Sequence, residues 1–188
     1  MDNKRGISHG LLAGIGVVLV LVLIGAMFFY FSLAGPNYDS AYQSKNLKDP
    51  TAGLSQEQAE AKFDESFVYY FLYSVKAYNL HNPPLSSNKP KMEFIVGEDV
   101  YNVIIDKGEI IIDKGSLDNR DAVIRTNAKE AVKMIKDINY IKESFRNGDS
   151  SIELTASKSE LFSKGYLGLY TEITGQSLSG NVIRIYTK

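Results

Sequence analysis

Hydrophobic and polar residues divide this chain sharply. From Gly6 to Tyr38 there is no Asp, Glu, Lys or Arg, and within that stretch residues 11–33 are almost continuously apolar. As a helix the run is about 35 Å long at roughly 1.5 Å per residue, enough to cross a hydrocarbon core of about 30 Å. The pattern predicts one N-terminal transmembrane helix. Lys4 and Arg5 before the run and Ser32-Leu33-Ala34 at its end also fit a cleaved secretory signal. The apolar run exceeds the roughly 15 residues of a signal's hydrophobic region, which favours an uncleaved anchor. Lys4 and Arg5 lie nearer the run than Lys45 and Lys48 do on its other side. Basic residues stay in the cytoplasm, so this asymmetry places the N-terminus inside and the C-terminal part of the chain outside. Four regions follow: a charged tail (1–10), the helix (11–33), a polar tether with Pro36 and Pro50 (34–55) and a soluble domain (56–188).

Ser55 and Gln58 have the spacing of a capping box, and residues 61–80 carry Phe63, Phe67, Phe71 and Val75 on one helical line with Val68 and Leu72 beside it. This predicts a helix ended by Asn82-Pro83-Pro84. Residues 91–99, 101–106 and 109–113 are rich in β-branched and aromatic side chains, and Asp106-Lys107-Gly108 supplies a tight turn. Three consecutive antiparallel strands result. A fourth strand (122–126) leads through Asn127 and Glu130, a second capping box, into a helix carrying Val132, Ile135, Ile138, Ile141 and Phe145. Asn147-Gly148 turns the chain into a fifth strand (150–156). Ser157 and Glu160 cap a last helix with Leu161, Phe162, Leu167 and Tyr170, and 181–187 alternates like a sixth, edge strand. The predicted architecture is α+β: a mainly antiparallel five- to six-stranded sheet with helices on one face. The pentapeptide IIDKG occurs at 104–108 and again at 111–115, which two successive strand ends explain without an internal repeat.

Composition narrows the chemistry. The chain has 188 residues, 21 Lys+Arg against 22 Asp+Glu, no Cys and two His, His9 and His81. Balanced charge argues against nucleic acid as a partner. Thiolate metal sites, disulfides and Cys nucleophiles are excluded outright. With one His in the domain, no site needing two imidazoles can form there. His81 has no Ser or acid at a catalytic spacing, and Asp99, Asp106, Glu109 and Asp113 lack the pattern of a calcium loop. We therefore expect no catalytic residue, no metal and no cofactor.

From about Phe63 to Gly175 the order of elements resembles a sterol carrier protein type two domain. The resemblance rests on a leading helix and a strand pair with Tyr101-Asn102-Val103 and the Asp106-Lys107-Gly108 turn. Asp121-Ala122-Val123-Ile124-Arg125-Thr126 then enters a helix, and Phe145-Arg146-Asn147-Gly148-Asp149 precedes a strand and a final helix. That family has no catalytic signature. The resemblance implies an apolar ligand pocket between helices and sheet, walled by Phe67, Phe71, Val103, Ile105, Ile112, Leu161 and Leu167, and a non-enzymatic protein presenting it to an acyl or isoprenoid lipid beside the bilayer. The helix at 61–80 holds seven aromatics between Phe63 and Tyr78, which fit a pocket wall or an ordinary core equally by chemistry. Gly165 and Gly168 in the last helix fit either a mobile gate or a helix break. The sequence departs from the family in the apolar anchor, the strand at 181–187 and the polar join Thr155–Ser159.

Two other functions are compatible with the sequence. Lys4-Arg5-Gly6-Ile7-Ser8 before an apolar helix resembles an archaeal type IV prepilin processing site, which implies a filament subunit cut after Gly6. A structural or partner-binding envelope module on the same fold, with a filled core, is the other.

Overall fold

The computed structural model describes residues 17–27 and 47–177. The chain divides into two compact units, Met1–Ala34 and Gly35–Lys188. In the first, helix α1 covers 17–27, and all of its residues are exposed. Among the described residues no helix is long and apolar enough to cross a membrane. The remainder of the predicted 11–33 helix, the processing sequence at Gly6 and the predicted strand 181–187 lie outside the described residues.

The second unit begins in what the sequence presents as tether. Asp49 accepts from the Thr51 amide at 2.8 Å and from its hydroxyl at 2.7 Å, fixing a turn whose Leu54 packs against the core. Helix α2, Gln56–Ala61, starts with the expected reciprocal capping box between Ser55 and Gln58. It does not run on to residue 80. Asp64 adopts an extended conformation and caps a new helix, α3, Glu65–Ser74, by accepting from the Ser66 amide. A short carboxylate beside a free amide favours a cap over a helix interior, so one predicted helix becomes two. Lys76, with a φ of 58°, ends α3 in the left-handed region, and a 3-10 turn, Ala77–Asn79, carries the chain away.

Strands β1, Lys91–Val96, β2, Asp99–Asp106, and β3, Glu109–Lys114, form the predicted antiparallel meander. Lys107 at φ 51° and Gly108 at φ 85° make the β2–β3 turn left-handed at both central positions, the twist a two-residue hairpin requires. The repeated IIDKG marks two strand ends: its second copy finishes β3, where the Gly115 amide bonds the Val100 carbonyl. Strand β4, Ala122–Thr126, crosses to the far side of β1 and pairs parallel to it, and β5, Ser151–Leu154, pairs antiparallel to β4. The sheet order is β3-β2-β1-β4-β5.

One face of this sheet is the core. Met92, Phe94, Val96, Tyr101, Val103, Ile105, Ala122 and Ile124 are buried on it, and the Phe71 ring of α3 meets Phe94 edge to face at 5.1 Å. On the other face Ile111 is exposed, while Glu93 is covered by the loop after β3, accepting from the Leu117 amide and pairing with Arg120.

The second predicted helix is also two. Asn127 caps α4, Ala128–Lys136, as expected, but α5, Tyr140–Asn147, is separate, and Ile138 between them is exposed instead of buried. Asp137 takes an extended conformation and its carboxylate accepts from the Asn139 amide, so the join has its own cap and no need of helical continuity. The last predicted helix splits into α6, Lys158–Ser163, and α7, Tyr166–Thr174, around Gly165 at φ 84°. A break is thus the role of Gly165, whereas Gly168 lies inside α7 with no atom within 4 Å of where a methyl would sit. Opposite effects follow. Gly165→Ala is expected to destabilise by roughly 1–2 kcal/mol through its backbone alone, since the nearest atoms to the added methyl are at an ordinary 3.7 Å. Gly168→Ala is expected to stabilise by about 0.5–1 kcal/mol. Paired urea titrations check the difference in sign.

Candidate functional site

Seven residues were expected to wall a pocket. Five of them, Phe67, Phe71, Val103, Ile105 and Leu161, are at most 3% exposed and belong to one continuous core. Ile112 packs against that core half-buried, and Leu167 is half-buried on α7. The layer under α3 is aromatic. Phe63, in the join between α2 and α3, lies 5.0 Å from the Phe67 ring, and Phe71 lies 6.5 Å from Phe145 on α5. These contacts fill the space between helices and sheet with side chains.

At the α3 N-terminal end of this layer stands Tyr101. It occupies the buried face of β2 opposite Phe94 and Lys114, is 0% exposed and meets Phe63 edge to face at 6.2 Å. The Lys114 ammonium lies over its ring, 5.7 Å from the centroid. Among the described residues its hydroxyl has no hydrogen-bond partner, a condition that costs about 1–3 kcal/mol relative to a satisfied group. Burial, followed by the carboxylates of Asp99, Glu65 and Asp64, pushes the phenol up to about 12.

A second feature was not foreseen. Lys164, between α6 and α7, and Asp121, just before β4, form an ion pair with side chains 1% and 2% exposed. The ammonium donates to Asp121 Oδ1 at 2.8 Å and Oδ2 at 3.0 Å, and to Glu160 Oε1 at 2.9 Å one helical turn back. Asp121 Oδ2 also accepts from the Lys91 amide at 2.8 Å and the Tyr166 hydroxyl at 3.1 Å, and Tyr166 also donates to the Lys91 carbonyl. Every charge here is met by hydrogen bonds, which is what allows it to be buried. Burial, reinforced by Asp121, raises the Tyr166 phenol well above its ordinary value, and the Lys164 hydrogen bond lowers Glu160. The cluster ties the α6–α7 corner to the start of β1 and β4. His81 borders it: its amide donates to the Lys164 carbonyl, and its Nδ1 lies 3.0 Å from the Asn82 carbonyl.

A third polar cluster surrounds Glu130 on α4. Lys133, Tyr140 and Ser144 donate to its carboxylate at 2.8, 2.9 and 3.4 Å, and Ser144 continues through Ser150 to Thr126. Thr126 and Ser150, at the far end of that chain, also line an open polar hollow of about 240 Å³ with Arg125, Asn127, Gly148, Asp149 and Ser151. Burial pushes the Glu130 carboxyl up, but the hydrogen bonds from Lys133, Tyr140 and Ser144 outweigh it and hold the group below its ordinary value. A carboxylate that is more acidic in the folded than in the unfolded chain stabilises above its unfolded pKa and loses that contribution as pH falls through the folded one. The acid limb of stability below about pH 4.5 is therefore expected to flatten in Glu130→Gln, at a cost of about 1–3 kcal/mol at neutral pH. Urea midpoints across an acid pH series measure both.

Of the remaining acids considered from the sequence, Asp106 pairs with Lys89 at 2.8 Å, as a solvated turn acid does. No protein-family model matches the chain, and no curated protein matches it. Among the solved structures similar to it, two are 12% identical. One, described as UbiJ-SCP2, a ubiquinone synthesis protein, covers 57% of this chain and 87% of its own at a TM-score of 0.33. The other, sterol carrier protein 2 like 2 from Aedes aegypti, covers 50% of this chain and 89% of its own at a TM-score of 0.30.

Proposed function

We propose that this chain is a bilayer-anchored, non-enzymatic lipid-binding protein. The apolar run 11–33 holds it in the membrane with the N-terminus cytoplasmic, and the Gly35–Lys188 unit shelters an acyl or isoprenoid chain between α3 and the sheet. The observation that carries the anchor is α1. Its large apolar side chains are exposed from 55% at Val20 to 66% at Leu23, and a helix apolar on all sides is stable only inside another apolar phase. The aromatic layer under α3 is chemically suited to a hydrocarbon chain, whose burial yields about 0.8 kcal/mol per CH2.

One observation favours a second reading, a partner-binding module with a filled core: Phe67 and Phe71 are 3% and 1% exposed and already pack on other rings. A ligand must displace them. The two readings separate by experiment. Flotation of the full chain with liposomes tests the anchor, and a chain that stays at the bottom of the gradient removes it. Organic extraction and mass spectrometry of the Gly35–Lys188 unit, made without detergent and incubated with mixed lipids, tests the cargo. Recovery of stoichiometric lipid supports the first reading, and repeated recovery of none supports the second.

A further inference from the structure

We propose that the Tyr101 hydroxyl is the polar contact for the head of a buried ligand, and that this ligand is an uncharged long-chain alcohol. The inference rests on the lipid-binding reading and deepens it.

The fold satisfies a buried phenol where it can. Tyr166, like Tyr101, is 0% exposed, yet its hydroxyl reaches both the Lys91 carbonyl and Asp121. Tyr101 reaches neither a carbonyl nor a carboxylate among the described residues. A phenylalanine would fill the same space without burying an unmatched donor, so the hydroxyl lowers stability where it stands. Groups of that kind call for an explanation outside packing, and an acceptor carried by a ligand is the direct one.

The surroundings set where the rest of the ligand lies and what its head can be. Phe63 is the ring next to Tyr101, Phe67 is next to Phe63, and Phe71 lies one helical turn further along α3. A hydrocarbon chain attached to a head at Tyr101 would follow this aromatic row. Charge decides the head. Asp64 and Glu65 open α3 directly after Phe63, whose ring touches Tyr101, and Asp99 precedes Tyr101 by two residues on the same face of β2, so three carboxylates bear on the hydroxyl against one ammonium, Lys114, over the ring face. An anionic carboxylate or phosphate head is repelled in that field, whereas a hydroxyl, able to accept from Tyr101 and to donate toward the acids, is matched.

The test uses the full chain in lipid nanodiscs and three photo-reactive probes of equal length, a primary alcohol, its carboxylate and its hydrocarbon, each with the same diazirine. Labelled peptides are read by mass spectrometry. The alcohol is expected to label the peptides containing Phe63, Phe67 and Tyr101 in preference to the carboxylate. Tyr101→Phe is expected to cut the alcohol labelling about ten-fold, the size of one lost hydrogen bond, while hydrocarbon labelling is unchanged and the melting temperature is equal or higher. If Tyr101→Phe leaves alcohol labelling intact, the hydroxyl is not the contact, although labelling of this region would still uphold lipid binding. Preference for the carboxylate overturns the head-group class. A lower melting temperature in Tyr101→Phe overturns the premise that the hydroxyl is unmatched. Labelling of α1 alone by all three probes removes the lipid-binding reading and this inference with it.

Discussion

Lys164→Met is expected to destabilise the folded unit by about 3–5 kcal/mol, the cost typical of removing one partner from a buried ion pair. The substitution keeps most of the side-chain volume and removes the charge. What remains is the Asp121 carboxylate, 2% exposed, still accepting from the Lys91 amide and the Tyr166 hydroxyl but with no cation beside it. The loss arises from that uncompensated charge more than from the attraction itself, because a buried pair roughly balances its own desolvation. A second substitution separates the two contributions. Asp121→Asn added to Lys164→Met removes the stranded charge while keeping an acceptor for Lys91 and Tyr166, and is expected to recover about 1–2 kcal/mol of the loss. Urea unfolding of the single and double variants measures the cycle. A loss under about 1 kcal/mol for Lys164→Met would place the pair in the solvated class instead.

The same cluster marks where sequence reasoning stops. The meander was legible because strand period, β-branched residues and the Asp106-Lys107-Gly108 turn all point to one local structure, and β1, β2 and β3 fall within a few residues of their predicted bounds. Caps at Ser55, Asn127 and Ser157 were legible for the same reason. Of the helix interruptions only the one at Gly165 was signalled, as one of two readings of that glycine. Phe63 and Phe67 keep a helical spacing straight through the break at Asp64, since both ends of the break face one core. Likewise Ile135, Ile138 and Ile141 read as one stripe although Ile138 points to solvent. Apolar period reports which residues face the core, and is blind to whether the backbone between them is continuous. The Asp121–Lys164 pair was beyond local pattern because its members are 43 residues apart. One signal was present: Lys164 caps the C-terminal end of α6 three residues after buried Leu161 and four after Glu160, within reach of an acid.

Phe71→Ala is expected to cost about 3–5 kcal/mol, and the response of that loss to added lipid bears directly on function. Phe71 is 1% exposed and joins three elements: it is on α3, meets Phe94 of β1 edge to face at 5.1 Å and lies 6.5 Å from Phe145 of α5. Its ring is held from both sides, so the neighbours can collapse only partly into the space it leaves, and the residual cavity adds to the lost transfer energy. The walls of that space are apolar, so it does not attract water. If the layer under α3 is a lipid site, a long-chain alcohol enters the enlarged space and stabilises the variant by mass action, about 2.7 kcal/mol at a hundred-fold excess over its dissociation constant. The wild-type unit, whose ring must first move aside, gains less. If the domain is a filled partner-binding module, the new cavity is isolated from the surface, and the melting temperature of Phe71→Ala is the same with and without the alcohol. Differential scanning calorimetry of both proteins across a ligand series therefore reads the stability cost and the accessibility of the core in one experiment. A ligand-dependent rise in the wild type as large as in the variant would mean that Phe71 does not occupy the ligand's place.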